Sequence, residues 1–124
     1  MPIKIAIAGA SGRMGQMLIE ATLGQPDLAL AAALDRTDSP VLGRDCGEAM
    51  GKTTGVRVSS ELAALAGADV LIDFTRPEAT LRHLDACASR GVKMVIGTTG
   101  FDAAGKRATE AASKRIAIVF APNM

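Results

Sequence analysis

Apolar runs of five to seven residues recur along the chain with few polar interruptions: Ile3 to Ala8, Leu28 to Leu34, Val70 to Phe74, Val92 to Ile96 and Ile116 to Ala121. A shorter run lies at Val56 to Val58. A strand with one wet face alternates apolar and polar residues, whereas a strand covered on both faces need not. The runs therefore predict strands of a parallel sheet enclosed by helices.

The segments between the runs carry a longer period. Met14, Met17, Leu18 and Ala21 follow i, i+3, i+4, i+7, which predicts a helix over about Gly12 to Leu23 with those residues on its apolar face. A second helix is expected from Pro77 to about Arg90, with Leu81, Leu84 and Ala88 repeating, an i, i+4 pair of Glu78 and Arg82, and a stop at Gly91. Ala104, Ala108, Ala111 and Ala112 mark a third, about Asp102 to Lys114, in which Gly105 costs about 1 kcal/mol against alanine. A shorter helix is expected over Glu61 to Ala66. Strands alternating with helices give right-handed βαβ units and hence a Rossmann-type doubly wound α/β sheet with helices on both faces.

The stretch from Asp35 to Gly55 has turn residues but no sustained period, and reads as a functional or mobile loop. The chain ends on VFAPNM, directly after a strand and without a closing helix, which suggests a domain cut from a longer protein. At 124 residues the chain makes one domain, 1–124, able to bury roughly two-thirds of its unfolded surface.

Composition narrows the function. A net charge of +1, no Trp or Tyr and three Phe leave no basic stripe for a phosphate backbone and no aromatic platform for bases, which argues against nucleic acid. Cys46 and Cys87 lack metal-type spacing and further ligands, so no metal site is expected and both read as free thiols in a reducing compartment. The apolar start MPIKIAIAG is too short for a signal peptide or membrane span, and the protein is expected to be cytoplasmic.

The chemistry-bearing stretch is IAIAGASGRMGQMLIEA, a strand that breaks into glycines before a helix. Free N–H groups at a helix N-terminus make an anion site. The glycines fall at Gly9, Gly12 and Gly15, and Ala10 stands where the common G-x-G-x-x-G fingerprint has its first glycine. Gly9 can make the turn, Gly12 can let backbone approach a pyrophosphate, and Gly15 can pack helix on strand. A glycine triplet alone also reads as a tight corner. The second strand, however, ends in Leu34, Asp35 and Arg36, with Asp35 twenty residues after Gly15, where a dinucleotide fold places the acid for the adenosine ribose hydroxyls. Arg36 can pair with a 2′-phosphate, so the same corner offers a group for NADH and one for NADPH. Two more stretches, Phe74 to Pro77 (FTRP) and Gly97 to Gly100 (GTTG), lie at the same strand ends. The hydroxyls of Thr98 and Thr99 can face a ribose or carboxamide, while Thr75 before Pro77 reads as a helix cap.

Taken together, GASGRMG, DFTRPE, MVIGTTGF and VFAPNM resemble the N-terminal, cofactor-binding domain of the dihydrodipicolinate (4-hydroxy-tetrahydrodipicolinate) reductase family over essentially the whole chain. The resemblance implies an NADH- or NADPH-dependent oxidoreductase of the diaminopimelate route to lysine, reducing a cyclic unsaturated dicarboxylate to tetrahydrodipicolinate. It implies that Gly9, Ala10, Ser11, Gly12, Arg13 and Met14 hold the pyrophosphate, that Asp35 takes the ribose hydroxyls and Arg36 the 2′-phosphate, and that Phe74 and Arg76 are secondary contacts. Gly97, Thr98 and Thr99 would lie along the nicotinamide half, with Thr99 near the substrate, and Ala121, Pro122, Asn123 and Met124 would border the nicotinamide. Many relatives have Glu at the acid position where this chain has Asp35, which leaves cofactor preference open. The family's substrate-binding and tetramer-forming C-terminal domain is missing, so the resemblance implies a homotetramer only for the longer protein, no catalytic residue in this chain and no turnover by it alone. The single histidine, His83, lies mid-helix beside no nucleophile or acid and is read as structural or solvated. Another two-domain dehydrogenase, a dinucleotide-sensing domain and a coenzyme A fold remain alternatives.

Overall fold

The computed structural model describes residues 2–120. Six strands, β1 (Ile3–Ala8), β2 (Leu28–Leu34), β3 (Val58–Ser59), β4 (Val70–Asp73), β5 (Lys93–Ile96) and β6 (Ile118–Phe120), alternate with three helices, α1 (Arg13–Leu23), α2 (Pro77–Arg90) and α3 (Ala103–Ala112). The strands form one parallel sheet in the order β3-β2-β1-β4-β5-β6. The predicted doubly wound architecture is therefore present, with the chain reversing its direction of travel between β1 and β4.

Each face of the sheet has its own core. Ile5 and Ile7 of β1 point to one face and meet Ile19 of α1, whereas Ala6 and Ala8 point to the other and join Leu71, Leu84, Cys87, Met94 and Ile96 beneath α2 and α3. Ile7, Ile19, Leu71 and Ile96 are completely buried, each stabilising the fold by about 1.5–3 kcal/mol. Both cysteines are buried free thiols, and burial pushes the Cys87 thiol up to about 12.

The helices are rotated relative to the stripes read from the sequence. In α1 the buried residues are Gly15, Ile19 and Thr22, while Met14 and Met17 are exposed. In α2 they are Thr80, His83, Leu84, Ala86 and Cys87, with Leu81 outside, and in α3 Gly105 and Ala112. The rotation of α1 is fixed by Gly15, whose position leaves no room for a side chain; that of α2 is fixed by polar partners of Thr80 and His83 described below. Glu78 and Arg82 do not form the expected ion pair among the described residues.

Several boundaries also differ, and the last run is a strand only over Ile118–Phe120 among the described residues. The run at Val56 pairs only from Val58 onward, with Arg57 bridging back to Asp45. The segment 61–66 is a short 3-10 turn, Leu62–Leu65, rather than an α-helix. The stretch 35–55 is built, not loose. The Asp45 carboxylate accepts N–H bonds from Gly47 (2.9 Å), Thr54 (2.9 and 3.1 Å) and Gly55 (2.8 Å) and the Thr54 hydroxyl (2.8 Å). These bonds, chiefly the Gly47 N–H, hold the carboxyl at about 2 instead of 3.8. Val41, Leu42, Cys46, Met50 and Val56 then pack against the same core as Ile5, Ile7 and Ile19.

Candidate functional site

A strand entering a helix through a glycine turn exposes the helix's first N–H groups. Here Gly9 adopts φ +80°, a conformation that disfavours a side chain, and its N–H and that of Ala10 bond the Leu34 carbonyl at 2.9 and 3.0 Å. This ties the turn to the end of β2. The Cβ of any residue at Gly15 would lie 2.0 Å from the Gly9 carbonyl oxygen, so helix and turn pack backbone to backbone. Gln16 braces the turn from behind by donating its Nε2 to the carbonyls of Ala10 (2.6 Å) and Cys46 (3.2 Å). The first intrahelical bond is Gln16 N–H to Gly12 O, and Gly12 caps the helix without any side-chain acceptor. Among the described residues, the N–H groups of Ser11, Arg13 and Met14 have no acceptor.

These groups open into a cavity of about 520 Å³ at the reversal between β1 and β4. It is walled by Gly9 and Ser11 to Gly15 from the turn, Leu34, Asp35 and Arg36 from the end of β2, Phe74, Thr75 and Arg76 from the end of β4, and Glu78, Ala79, Arg82 and His83 from α2. Four arginines face two carboxylates, and the positive end of the α1 dipole adds to them, so the cavity favours an anion. Its volume suits a small organic ligand.

At the β2 corner the Asp35 carboxylate accepts Arg36 N–H on Oδ1 and the Ser39 hydroxyl on Oδ2, both at 2.9 Å. A carboxylate has about four acceptor positions, so two remain for a pair of hydroxyls.

The predicted site residues divide. Gly9, Ser11, Gly12, Arg13, Met14, Asp35, Arg36, Phe74 and Arg76 come together around the cavity. Ala10 does not, being fully buried beneath the turn. Gly97, Thr98 and Thr99 stand outside its walls at the end of β5. The Phe74 ring lies against Gly97, where an added Cβ would sit 2.0 Å from the ring. Thr98 is buried and its hydroxyl points inward to Thr80 (2.8 Å), contrary to the expectation that it faces a ligand. Thr99 is exposed. Ala121 to Met124 lie outside the described residues.

The inward turn of Thr98 has a cause that sequence reading missed. Asp73, the last residue of β4, is completely buried and needs donors. It receives the Thr75 N–H (3.0 Å) and Thr75 hydroxyl (2.6 Å) on Oδ1, while Oδ2 lies 2.6 Å from His83 Nδ1. The Thr98 hydroxyl in turn accepts the Thr75 N–H at 3.0 Å. Thr75 thus serves Asp73 and does not cap α2, whose N-cap is Arg76 without a side-chain bond. His83 does have an acid beside it, ten residues away in sequence. Its ring also lines the cavity wall.

The strand order, the switch-point cavity and the helix N-terminus open to an anion define a Rossmann-type α/β domain of the kind that binds ligands at the carboxyl ends of its strands. The family model described as "Dihydrodipicolinate reductase, N-terminus" matches residues 3–124, and the chain belongs to that family. It is 63% identical over 123 residues to the 4-hydroxy-tetrahydrodipicolinate reductase of Bordetella parapertussis, covering 99% of this chain and 46% of the relative. Identity to the enzyme of the same name from Chromobacterium violaceum is 59%, with the same coverage. The chain thus spans about half the length of these relatives. Among solved structures, the dipicolinate-bound dihydrodipicolinate reductase of Paenisporosarcina sp. TG-14 superimposes with a TM-score of 0.76 at 30% identity, over 99% of this chain and 48% of that one. A biliverdin reductase from Synechocystis shares the fold at a TM-score of 0.74 and 17% identity, over 97% of this chain and 38% of that one.

Proposed function

We propose that this chain is the NADH- and NADPH-binding domain of a reductase that transfers hydride to a cyclic dihydrodipicolinate-type dicarboxylate, giving tetrahydrodipicolinate. The observation that carries the reading is the set of unpartnered N–H groups of Ser11, Arg13 and Met14 opening into a cavity whose far wall holds Asp35 and Arg36. A pyrophosphate fits those donors, and a ribose diol fits the two vacant acceptor positions of Asp35.

The bound dinucleotide supplies the hydride. The chain's own residues bind and orient it. Ser11, Arg13 and Met14 take the phosphates by main-chain N–H and Arg13 adds charge; Asp35 fixes the adenosine ribose; Arg36 meets a 2′-phosphate where there is one; Arg76 and Phe74 line the nucleotide. The Asp73 network locks the ends of β4 and β5 together, so Thr99 is held at the edge where a nicotinamide and substrate would meet. The substrate's carboxylates and the proton that completes reduction are assigned to groups outside residues 1–124, in a further domain through which the protein forms a homotetramer in the cytoplasm.

The test is a calorimetric titration of the chain with NADH and with NADPH at fixed salt, repeated on Arg36→Ala. Binding of both, with NADPH weakened selectively in the variant, is the expected result. A folded sample that binds neither overturns the reading.

A further inference from the structure

We propose, resting on the dinucleotide reading above, that Asp38, a residue outside the cavity, biases the site toward NADH by holding Arg36 and adding a second negative charge beside the ribose corner. The chain turns sharply after β2: Ser39 N–H bonds the Arg36 carbonyl at 3.1 Å, and the buried Ser39 hydroxyl bonds Asp35. This turn brings Asp38 back over Arg36, with Oδ1 3.5 Å from Nε. Arg36 lines the cavity and Asp38 does not, so Asp38 reaches the guanidinium from the solvent side.

The corner therefore has one cation between two carboxylates. A ribose diol is neutral and needs only the acceptor positions of Asp35. A 2′-phosphate brings a charge of about −1.5 to −2, as phosphomonoesters do at neutral pH. Arginine binds phosphate best through two parallel N–H bonds of its fork, and the Nε edge of that fork is the one Asp38 holds. NADPH must displace Asp38 or use only the terminal Nη1–Nη2 edge of the guanidinium, and it meets the field of both carboxylates. NADH meets neither obstacle. Asp38 is thus a positioning residue acting through Arg36, and it favours the cofactor that leaves Arg36 unused.

The experiment titrates the full chain and its Asp38→Asn, Asp38→Glu and Asp38→Asn/Arg36→Ala variants with NADH and NADPH at low and at high salt. The Asp38 side chain is 77% exposed, and melting temperatures serve as the check that folding is unchanged. Asp38→Asn is expected to tighten NADPH about three- to fivefold at low salt, the range of an exposed ion pair, while NADH changes less than about twofold. The gain shrinks at high salt, disappears in the Arg36→Ala background, and is absent in Asp38→Glu. An unchanged NADPH to NADH ratio in Asp38→Asn overturns the inference, as does weaker NADPH binding, which would mean that Asp38 presents Arg36 to the phosphate. Both outcomes leave NADH binding intact; loss of binding of either cofactor by the unsubstituted chain instead overturns the dinucleotide reading and this inference with it.

Discussion

Replacing Gly15 by alanine sets two effects of opposite sign against each other. Within a helix, alanine is favoured over glycine by up to about 1 kcal/mol, so propensity alone predicts a more stable protein. Packing predicts the reverse. The new Cβ would lie 2.0 Å from the Gly9 carbonyl oxygen, 2.8 Å from its carbon and 3.1 Å from the Ala10 Cα, all backbone atoms that no rotamer change can move aside. To reach an ordinary contact the turn and helix must part by about 1 Å or more. Overpacking of this kind costs about 1–3 kcal/mol, which less the helix gain of about 1 kcal/mol leaves a net loss of up to about 2 kcal/mol and, for a domain of this size, up to about 8 °C in Tm. The same displacement moves the N–H groups of Ser11, Arg13 and Met14, and NADH affinity should fall at least about tenfold, which corresponds to ~1.4 kcal/mol. Urea unfolding with a common m-value gives the first number and calorimetric titration the second. Gly24→Ala is the control, because its Cβ would meet nothing closer than 3.6 Å at an ordinary φ of −82°. Should Gly15→Ala prove more stable than the parent and bind NADH equally well, the backbone-on-backbone account of the turn is wrong.

Two further predictions concern buried or captured carboxylates. Asp73→Ala takes the carboxylate away from His83 Nδ1 and the Thr75 hydroxyl at a fully buried position, and should cost about 3–5 kcal/mol in urea unfolding; a loss below ~1 kcal/mol would mean that water or rearrangement satisfies these groups. Asp45, held at about 2 against 3.8, adds stability that is fully present above 3.8 and lost as pH falls from 3.8 through 2. Asp45→Asn should therefore flatten the acid limb of the melting temperature in that window, and an unaltered limb would show that the carboxylate is not what ties residues 43–55 together.

Much of the fold was legible because its signal is local. Continuous apolar runs locate β1, β2, β4 and β5 to within a residue, since a doubly covered strand declares itself without reference to its neighbours. The rotation of each helix was not legible. Counting apolar residues places Met14 and Met17 on the inner face of α1, but a glycine packs where a methionine cannot, and the close approach at Gly15 turns the helix so that Ile19 and Thr22 follow it inward. The stretch 35–55 misleads for a related reason. Its Asp, Thr and Gly residues look like solvated loop, yet Asp45 satisfies donors up to ten residues downstream and lets Val41, Leu42 and Cys46 seal the sheet.

The site follows the same division. The turn and the Asp35-Arg36 corner were legible because strand, glycine spacing and acid sit at fixed offsets along one βαβ unit. Thr98 was misjudged because what decides its direction is a carboxylate 25 residues earlier, brought alongside only when β5 pairs with β4 through Ile96 and Asp73. A buried acid is a demand for donors, and Asp73 draws Thr75, Thr98 and His83 inward from three separate segments. The residues that would position a nicotinamide are thus placed by an acid that touches no ligand. A threonine at the mouth of an α/β sheet therefore cannot be assigned to a ligand until every buried carboxylate within reach has its donors.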